Sequence, residues 1–280
     1  SSYQVSNYRE DPFSFRLGSL YDISNNHTLY ANYAEGFRAP AFNETNLGFE
    51  NPQQGYSYIA NPSLKPEKSR GIEIGWRSDN GILNHDLSAY YTRYYNFIQS
   101  QTNIGRNSQN GLIAFTSVNL PSAEIYGVEL AAGVNFSGIH PRLQGLSTDL
   151  GLAWTDGKNR SDNTPISSIA PFSGHIGVNY DVDERWGVGT HWRFATKKAD
   201  KDVSSTDPRN TAKGIGGYGV WDVTGYYRPV KGLTARAGVF NILDKKYITW
   251  GEAYRLGDEI SRTRYSAPGR WFGASLRYDF

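Results

Sequence analysis

The chain has 280 residues and a formal charge of +2, from 29 Lys and Arg against 27 Asp and Glu, which excludes a nucleic-acid protein held by bulk positive charge. Mean hydropathy is −0.57 and no run approaches the roughly 20 apolar residues of a membrane helix, so a helical membrane protein is excluded. With no cysteine, disulfide frameworks, thiolate metal sites and cysteine nucleophiles are excluded too, whereas 20 Tyr, 7 Trp, 13 Phe and 30 Gly suit a β-barrel wall with one face in lipid.

From the first residues onward the pattern has period two. It predicts eleven strands in chain order: Phe13–Tyr21, His27–Phe37, Arg70–Arg77, Leu83–Ile98, Leu112–Phe136, Leu143–Asp156, Pro171–Tyr180, Arg185–Thr196, Tyr218–Arg228, Leu233–Thr249 and Gly269–Phe280. In Trp186–Phe194, Trp186, Val188, Thr190, Trp192 and Phe194 share one face, and Gly187, Gly189, His191 and Arg193 the other. Aromatic residues at strand ends match the girdles at two lipid–water interfaces. Short turns (Asp22–Asn26, Asp79–Gly81, Ser137–Arg142, Asp181–Glu184, Pro229–Gly232) alternate with long polar loops (Arg38–Ser69, Gln99–Gly111, Lys158–Ile169, Lys197–Gly216, Gly251–Pro268), which is the plan of an outer-membrane barrel. Pro121 is expected to mark a bulge or a strand start, because proline cannot donate to a ladder. An odd strand count leaves an open edge in lipid. Together with the absence of a signal peptide at Ser1, it points to the C-terminal portion of a larger barrel. No domain boundary is visible.

Several segments resemble a known family. Tyr33–Pro40 is similar to a strand end in TonB-dependent outer-membrane receptors, and Asn61–Ser69 to the start of the strand after the next loop. Ile125–Leu130 resembles a further recurrent segment, Val239–Tyr247 the penultimate-strand signature, and terminal Phe280 the signal read by the barrel-insertion machinery. The resemblance implies an all-β, antiparallel transmembrane barrel of 22 strands, of which residues 1–280 are the last eleven. It also implies a plug domain and a first half of the barrel outside this chain. The protein would be a monomeric importer in the outer membrane of a Gram-negative bacterium, driven by a TonB-type periplasmic partner acting on the plug.

The loop between Arg38–Pro40 and Asn61–Leu64 looks most like that of the haem-uptake branch, where it carries an axial ligand, His or Tyr. This loop has no His and offers Tyr56 and Tyr58; a phenolate oxygen suits ferric haem. On this reading Tyr56 or Tyr58 ligates haem iron, Phe42 and Phe49 pack on the porphyrin, Gly55 lets the backbone bend, and the plug supplies the second ligand. The alternative is that both tyrosines pack against neighbours, as most loop tyrosines do.

His27, His85 and His140 fall at short turns, far from an external pocket, while His175 and His191 face the lumen as satisfied polar groups. Arg193, Arg228, Asp222, Glu73, Arg77, Arg93, Glu129, Arg236 and Arg277 are expected inside, because arginine facing lipid costs about 2–4 kcal/mol near the midplane. Lys197, Lys198, Lys201, Arg209, Lys213, Arg255, Arg262 and Arg264, mixed with Asp200, Asp202 and Asp207, form either a solvated loop surface or contacts to haem propionates or a carrier protein. No nucleophile elbow, phosphate loop or zinc spacing occurs, so no enzyme is expected. The three functions in contention are a haem receptor fed by free haem or a haem-carrying protein, a ferric-siderophore receptor, and a passive porin or structural barrel.

Overall fold

Alternation of apolar and polar side chains produces one continuous sheet. The computed structural model describes residues 13–53, 55–203, 214–254 and 259–279. Its strands are β1 (Arg16–Ser24), β2 (His27–Arg38), β3 (Phe49–Asn51), β4 (Tyr56–Tyr58), β5 (Glu67–Asp79), β6 (Leu83–Arg106), β7 (Ile113–Asn135), β8 (Leu146–Asn159), β9 (Ser173–Val182), β10 (Trp186–Ala195), β11 (Tyr218–Tyr227), β12 (Leu233–Phe240) and β13 (Trp271–Tyr278). Short helices α1 (Phe42–Asn46), α2 (Trp250–Ala253) and α3 (Glu259–Arg264) lie in the long loops. Eleven strands run β1-β2-β5-β6-β7-β8-β9-β10-β11-β12-β13 in one antiparallel path, with β3 and β4 beside it. The eleven-strand expectation holds, and short turns alternate with long loops except on either side of β7, where residues 107–112 join β6 to β7 and the longer stretch 136–145 joins β7 to β8.

Register sorts the side chains into rows. Leu29, Trp76, Leu87, Leu130 and Leu152 stand opposite one another across β2, β5, β6, β7 and β8. Further round, Leu150 and Ile176 share the same face with Trp192 and Trp221. Ile72, Ile74, Trp76, Trp192 and Trp221 are exposed, as a wall bathed in lipid requires. The opposite face carries Thr28, Arg77, Asp86 and Ala131 in one row and Asn32, Glu73 and Tyr90 in another. Several groups on this face are paired: Tyr30 Oη donates to Asp86 (2.9 Å), Tyr90 Oη meets Thr155 (2.7 Å), and Arg193 donates to Asp222 (2.9 Å). His175 Nε2 lies 3.6 Å from Asp149. Glu129, Arg236 and Arg277 share this lumen face, while Arg228 sits just past β11 over the Tyr226 ring.

Arg93 breaks the expected parity. It stands opposite Arg70 and Glu124, on the same face as Tyr91 and Leu87, and therefore points outward. Most strand boundaries shift by up to three residues, and two strand ends move much further. β6 continues to Arg106, because its upper half pairs with β7 above the wall through two register shifts. β12 stops at Phe240 rather than Thr249, because Asn241 and Asp244 take left-handed φ values of 50° and 51° and fold the chain into a turn. Pro121 marks neither a bulge nor a start. It lies mid-strand across from Asn96 (φ 52°), at a position the ladder skips without change of register between Tyr95–Ser122 and Phe97–Leu120. It also lies beyond the last β7–β8 pair, Ala123–Asn159, so its missing donor is not needed there.

Three outer loops share a small core. Val203, Trp250 and Ala253 are buried, with Ile215, Ile248 and Tyr254 against them. Trp250 Nε1 donates to Ser167 O (2.7 Å). Lys198 is buried beneath them, donating Nζ to Ile169 O (2.9 Å) with Nζ 5.8 Å from the Trp250 ring centroid. Burial pushes the Lys198 ammonium below the usual lysine value of 10.5. The unfolded chain then binds more protons than the folded one in the window below 10.5, so the loop core gains stability as pH rises through it. As pH rises towards 10.5, the urea midpoint of the wild type should rise relative to that of Lys198→Met; a difference independent of pH would contradict this. Of the other loop charges, Arg209, Lys213, Asp207 and Arg255 lie outside the described residues, as does Phe280.

Candidate ligand site at the outer rim

The loop after β2 is pinned at both ends by charge. Arg38, at the end of β2, pairs with Glu44 of α1 (3.3 Å) and reaches Glu67 at the start of β5 (3.6 Å). Glu44 is buried and accepts from the Ala41 N–H (2.8 Å) and from Ser100 Oγ (2.9 Å). A paired carboxylate out of water is costly to disturb, so the loop has one entry and one exit. Asn61 Nδ2 donates to Ser117 O (2.9 Å). Asn119 accepts from Lys65 N (2.7 Å) and donates to Lys65 O (2.9 Å), tying the returning chain to β7. Arg38 and Glu67 belong to the two segments singled out in sequence, so these segments act as the loop's latch.

Between the latches, β3 and β4 form a hairpin with Phe49 opposite Tyr58 and Asn51 opposite Tyr56. Gly55 supplies a φ of 73° for the bend into β4, a conformation glycine adopts without strain. β4 then pairs parallel with the start of β7, with Tyr56 beside Ile113 and Tyr58 beside Phe115. Strand alternation puts both tyrosines on one face, while Ser57 is buried on the other. Phe49 stacks on Tyr58 (6.2 Å, 12°) and meets Tyr56 edge-on (5.8 Å, 82°); Tyr56 in turn meets Phe115 edge-on (6.2 Å, 77°).

The tyrosines differ in their hydroxyls. Tyr58 Oη is 2.5 Å from Ser117 Oγ, so that phenol is engaged. The Tyr56 hydroxyl has no hydrogen bond among the described residues, and its ring is only half buried. Phe42, first residue of α1, is 60% exposed and has no ring contact with this cluster among the described residues. The structure therefore brings Phe49, Tyr56 and Tyr58 together, adds Phe115, and leaves Phe42 apart. Phe115 was hidden in sequence because the parallel β4–β7 pairing joins segments more than fifty residues apart. His140 sits in a short turn, its Nδ1 accepting from Arg142 N (3.0 Å), and His27 and His85 flank Trp76 at the same end of the wall. Among the described residues no three His, Asp or Glu side chains cluster to hold a metal ion.

A single wall with a lipid face, a polar lumen face and elaborated loops at one end is what a receptor barrel requires. Residues 1–242 match the family model described as TonB dependent receptor-like, beta-barrel. The chain belongs to this family. It is thus part of an outer-membrane receptor barrel. Hemoglobin and hemoglobin-haptoglobin-binding protein A of Haemophilus influenzae is 30% identical over 95% of this chain and 27% of its own length. Hemoglobin-haptoglobin utilization protein B of Neisseria meningitidis serogroup C is 29% identical over 96% of the chain and 37% of its own. The chain spans about a third of these relatives. Among solved structures, the copper transporter OprC superposes with a TM-score of 0.77 at 22% identity, over 95% of this chain and 39% of that one. A ferric enterobactin receptor, PfeA of Pseudomonas aeruginosa, gives 0.72 at 21%, over 95% and 40%. At that identity these two speak for the fold alone.

Within the TonB-dependent receptor barrel, the Val239–Tyr247 signature also has a structural role. The backbone N–H of Asn241 donates to Asp222 (2.7 Å), and its side chain bonds Lys245 O, Lys245 N and Pro268 O (2.9, 2.8 and 3.1 Å). Asp244 accepts from Arg270 N (2.8 Å). The segment thus folds the last outer loop back onto the wall.

Proposed function

We propose that this chain forms part of the barrel of a receptor that imports haem taken from a haemoprotein, with Tyr56 as the protein's ligand to haem iron. The observation that carries this reading is the Phe49–Tyr56–Tyr58–Phe115 cluster at the outer rim, with one phenol engaged and the other open to a ligand. It occurs in a chain whose relatives are named for binding haemoglobin and haemoglobin–haptoglobin. A phenolate is a hard anionic donor matched to ferric iron, and flat aromatic rings beside it suit a porphyrin face. Phe49 fills that packing role, with Phe115 in the place first expected of Phe42. The eleven strands belong to a single 22-stranded barrel domain, the plug and the remaining strands being contributed by the rest of the receptor. Transport, not catalysis, is its activity: a TonB-type periplasmic protein supplies the energy through the plug, and the second iron ligand comes from there too.

The same fold is shared with receptors named for ferric enterobactin and for copper, so nutrition decides between cargoes. A strain lacking the receptor should fail to grow with haemoglobin as sole iron source and recover when the gene is restored. Its growth on ferric siderophores should be unchanged. The opposite pattern would overturn the haem reading and favour a siderophore.

A further inference from the structure

The outward face of the wall changes chemistry abruptly with height. Tyr33, Ile72, Tyr91 and Tyr126 form one row across β2, β5, β6 and β7, the aromatic girdle that tops the lipid-facing band. The next outward-facing row reads Glu35, Arg70, Arg93, Glu124 and Lys158, and the one above it Phe37, Lys68, Tyr95 and Ser122. These rows lie about ten residues from the short-turn end, the length of a strand crossing the hydrocarbon layer. They therefore stand at the level of the outer-leaflet headgroups.

Cations outnumber anions in these rows and converge. The Arg70 and Arg93 guanidinium groups lie over the same Tyr95 ring, 5.9 and 5.2 Å from its centroid. Arg70 is shared with Glu35 (3.3 Å) and Arg93 donates Nε to Ser122 Oγ (3.3 Å). Lys68, one row up, is exposed. Further round, Lys158 and Arg160 both engage Glu124 (3.5 and 2.5 Å), two cations on one carboxylate. Glu35 answers the charge of Arg70, but among the described residues no carboxylate lies within ion-pair distance of Arg93, whose Nε is taken by Ser122, so the two guanidinium groups on one ring keep a net positive charge that an anion would neutralise. A planar guanidinium fork matches phosphate oxygens better than any other side chain does. Facing outward, the pair meets the membrane and not the lumen or the rim site.

We propose that Arg70 and Arg93, braced on Tyr95 and assisted by Lys68, bind the phosphate groups of the phosphorylated glycolipid of the outer leaflet. The contact fixes the barrel's height and its lipid neighbour on the β5–β6 side. It is independent of the cargo carried at the rim.

The test uses the whole receptor, extracted in mild detergent, with bound glycolipid counted by native mass spectrometry. Arg70→Gln/Arg93→Gln should retain at least roughly tenfold less glycolipid than wild type, the loss expected for two charged hydrogen-bond partners. Arg77→Gln, on the lumen face, should retain as much as wild type. Heat-modified migration on gels reports whether each variant is folded. Independently of any variant, the delipidated wild type should rebind the native glycolipid and lose most of that binding when its phosphates are removed enzymatically. Equal retention by the folded double variant would overturn the proposal, as would equal rebinding of dephosphorylated glycolipid. Saturation by inorganic phosphate at the same concentration would reduce the site to a general anion site and also overturn it. Loss of haemoglobin binding by the double variant with glycolipid retention intact would assign the arginines to a carrier protein instead.

Discussion

Leu130→Arg destabilises the folded barrel in bilayers by about 2–4 kcal/mol. Leu130 stands between Leu87 and Leu152 in the outward apolar row, midway along the crossing, where a guanidinium can reach neither headgroup region without distorting the wall. Ala131→Arg provides the contrast. One residue further along β7, Ala131 faces the lumen between Asp86 and Gly151, where an added cation meets a carboxylate and water. Denaturant unfolding in lipid vesicles, followed by tryptophan fluorescence, should show a large loss for Leu130→Arg and a small one for Ala131→Arg. Equal losses would contradict the assignment of faces.

Asn241→Ala carries the second large cost, about 2–4 kcal/mol. Asn241 is 3% exposed and its side chain makes three hydrogen bonds, to Lys245 N, Lys245 O and Pro268 O. Alanine leaves those backbone groups without their partner and must also hold a φ of 50°, which asparagine tolerates better. Asn241→Gly relieves the backbone but restores no hydrogen bond, so it should fall between wild type and alanine in the same unfolding measurement. If glycine and alanine lose equally, backbone conformation contributes nothing and the hydrogen bonds account for the whole effect.

The wall was legible in sequence because lipid imposes a strict rule: one side chain in two must be apolar. Leu233, Ala235, Ala237 and Val239 against Thr234, Arg236 and Gly238 leave only one way to face. The rule fails where both parities are aromatic. Around Arg93 the sequence runs Tyr90, Tyr91, Thr92, Arg93, Tyr94, Tyr95, so alternation gives no side, and only the pairing with Arg70 and Glu124 shows that Arg93 points out. Above the membrane the rule lapses altogether. Water accepts any pattern there, which is why the extension of β6, the β3–β4 hairpin and helices α1 and α2 were not anticipated. The end of β12 was over-read for a related reason. Phe240, Ile242, Leu243 and Tyr247 keep the segment rich in apolar residues without keeping its alternation, and Asn241 and Asp244 turn the chain. At the rim, sequence supplied Phe49, Tyr56 and Tyr58 but could not rank the tyrosines; the Ser117 contact of Tyr58 is a tertiary fact. Phe115 entered only through a parallel pairing with no local signature.

The most direct test of the central claim is the magnetic circular dichroism and resonance Raman spectrum of the intact receptor loaded with ferric haemin. The wild type should show the signature of iron bound by phenolate. Tyr58→Phe should keep it and Tyr56→Phe should lose it, with weaker haemin binding. A phenolate signature surviving in Tyr56→Phe, or its absence from the wild type, would contradict the account.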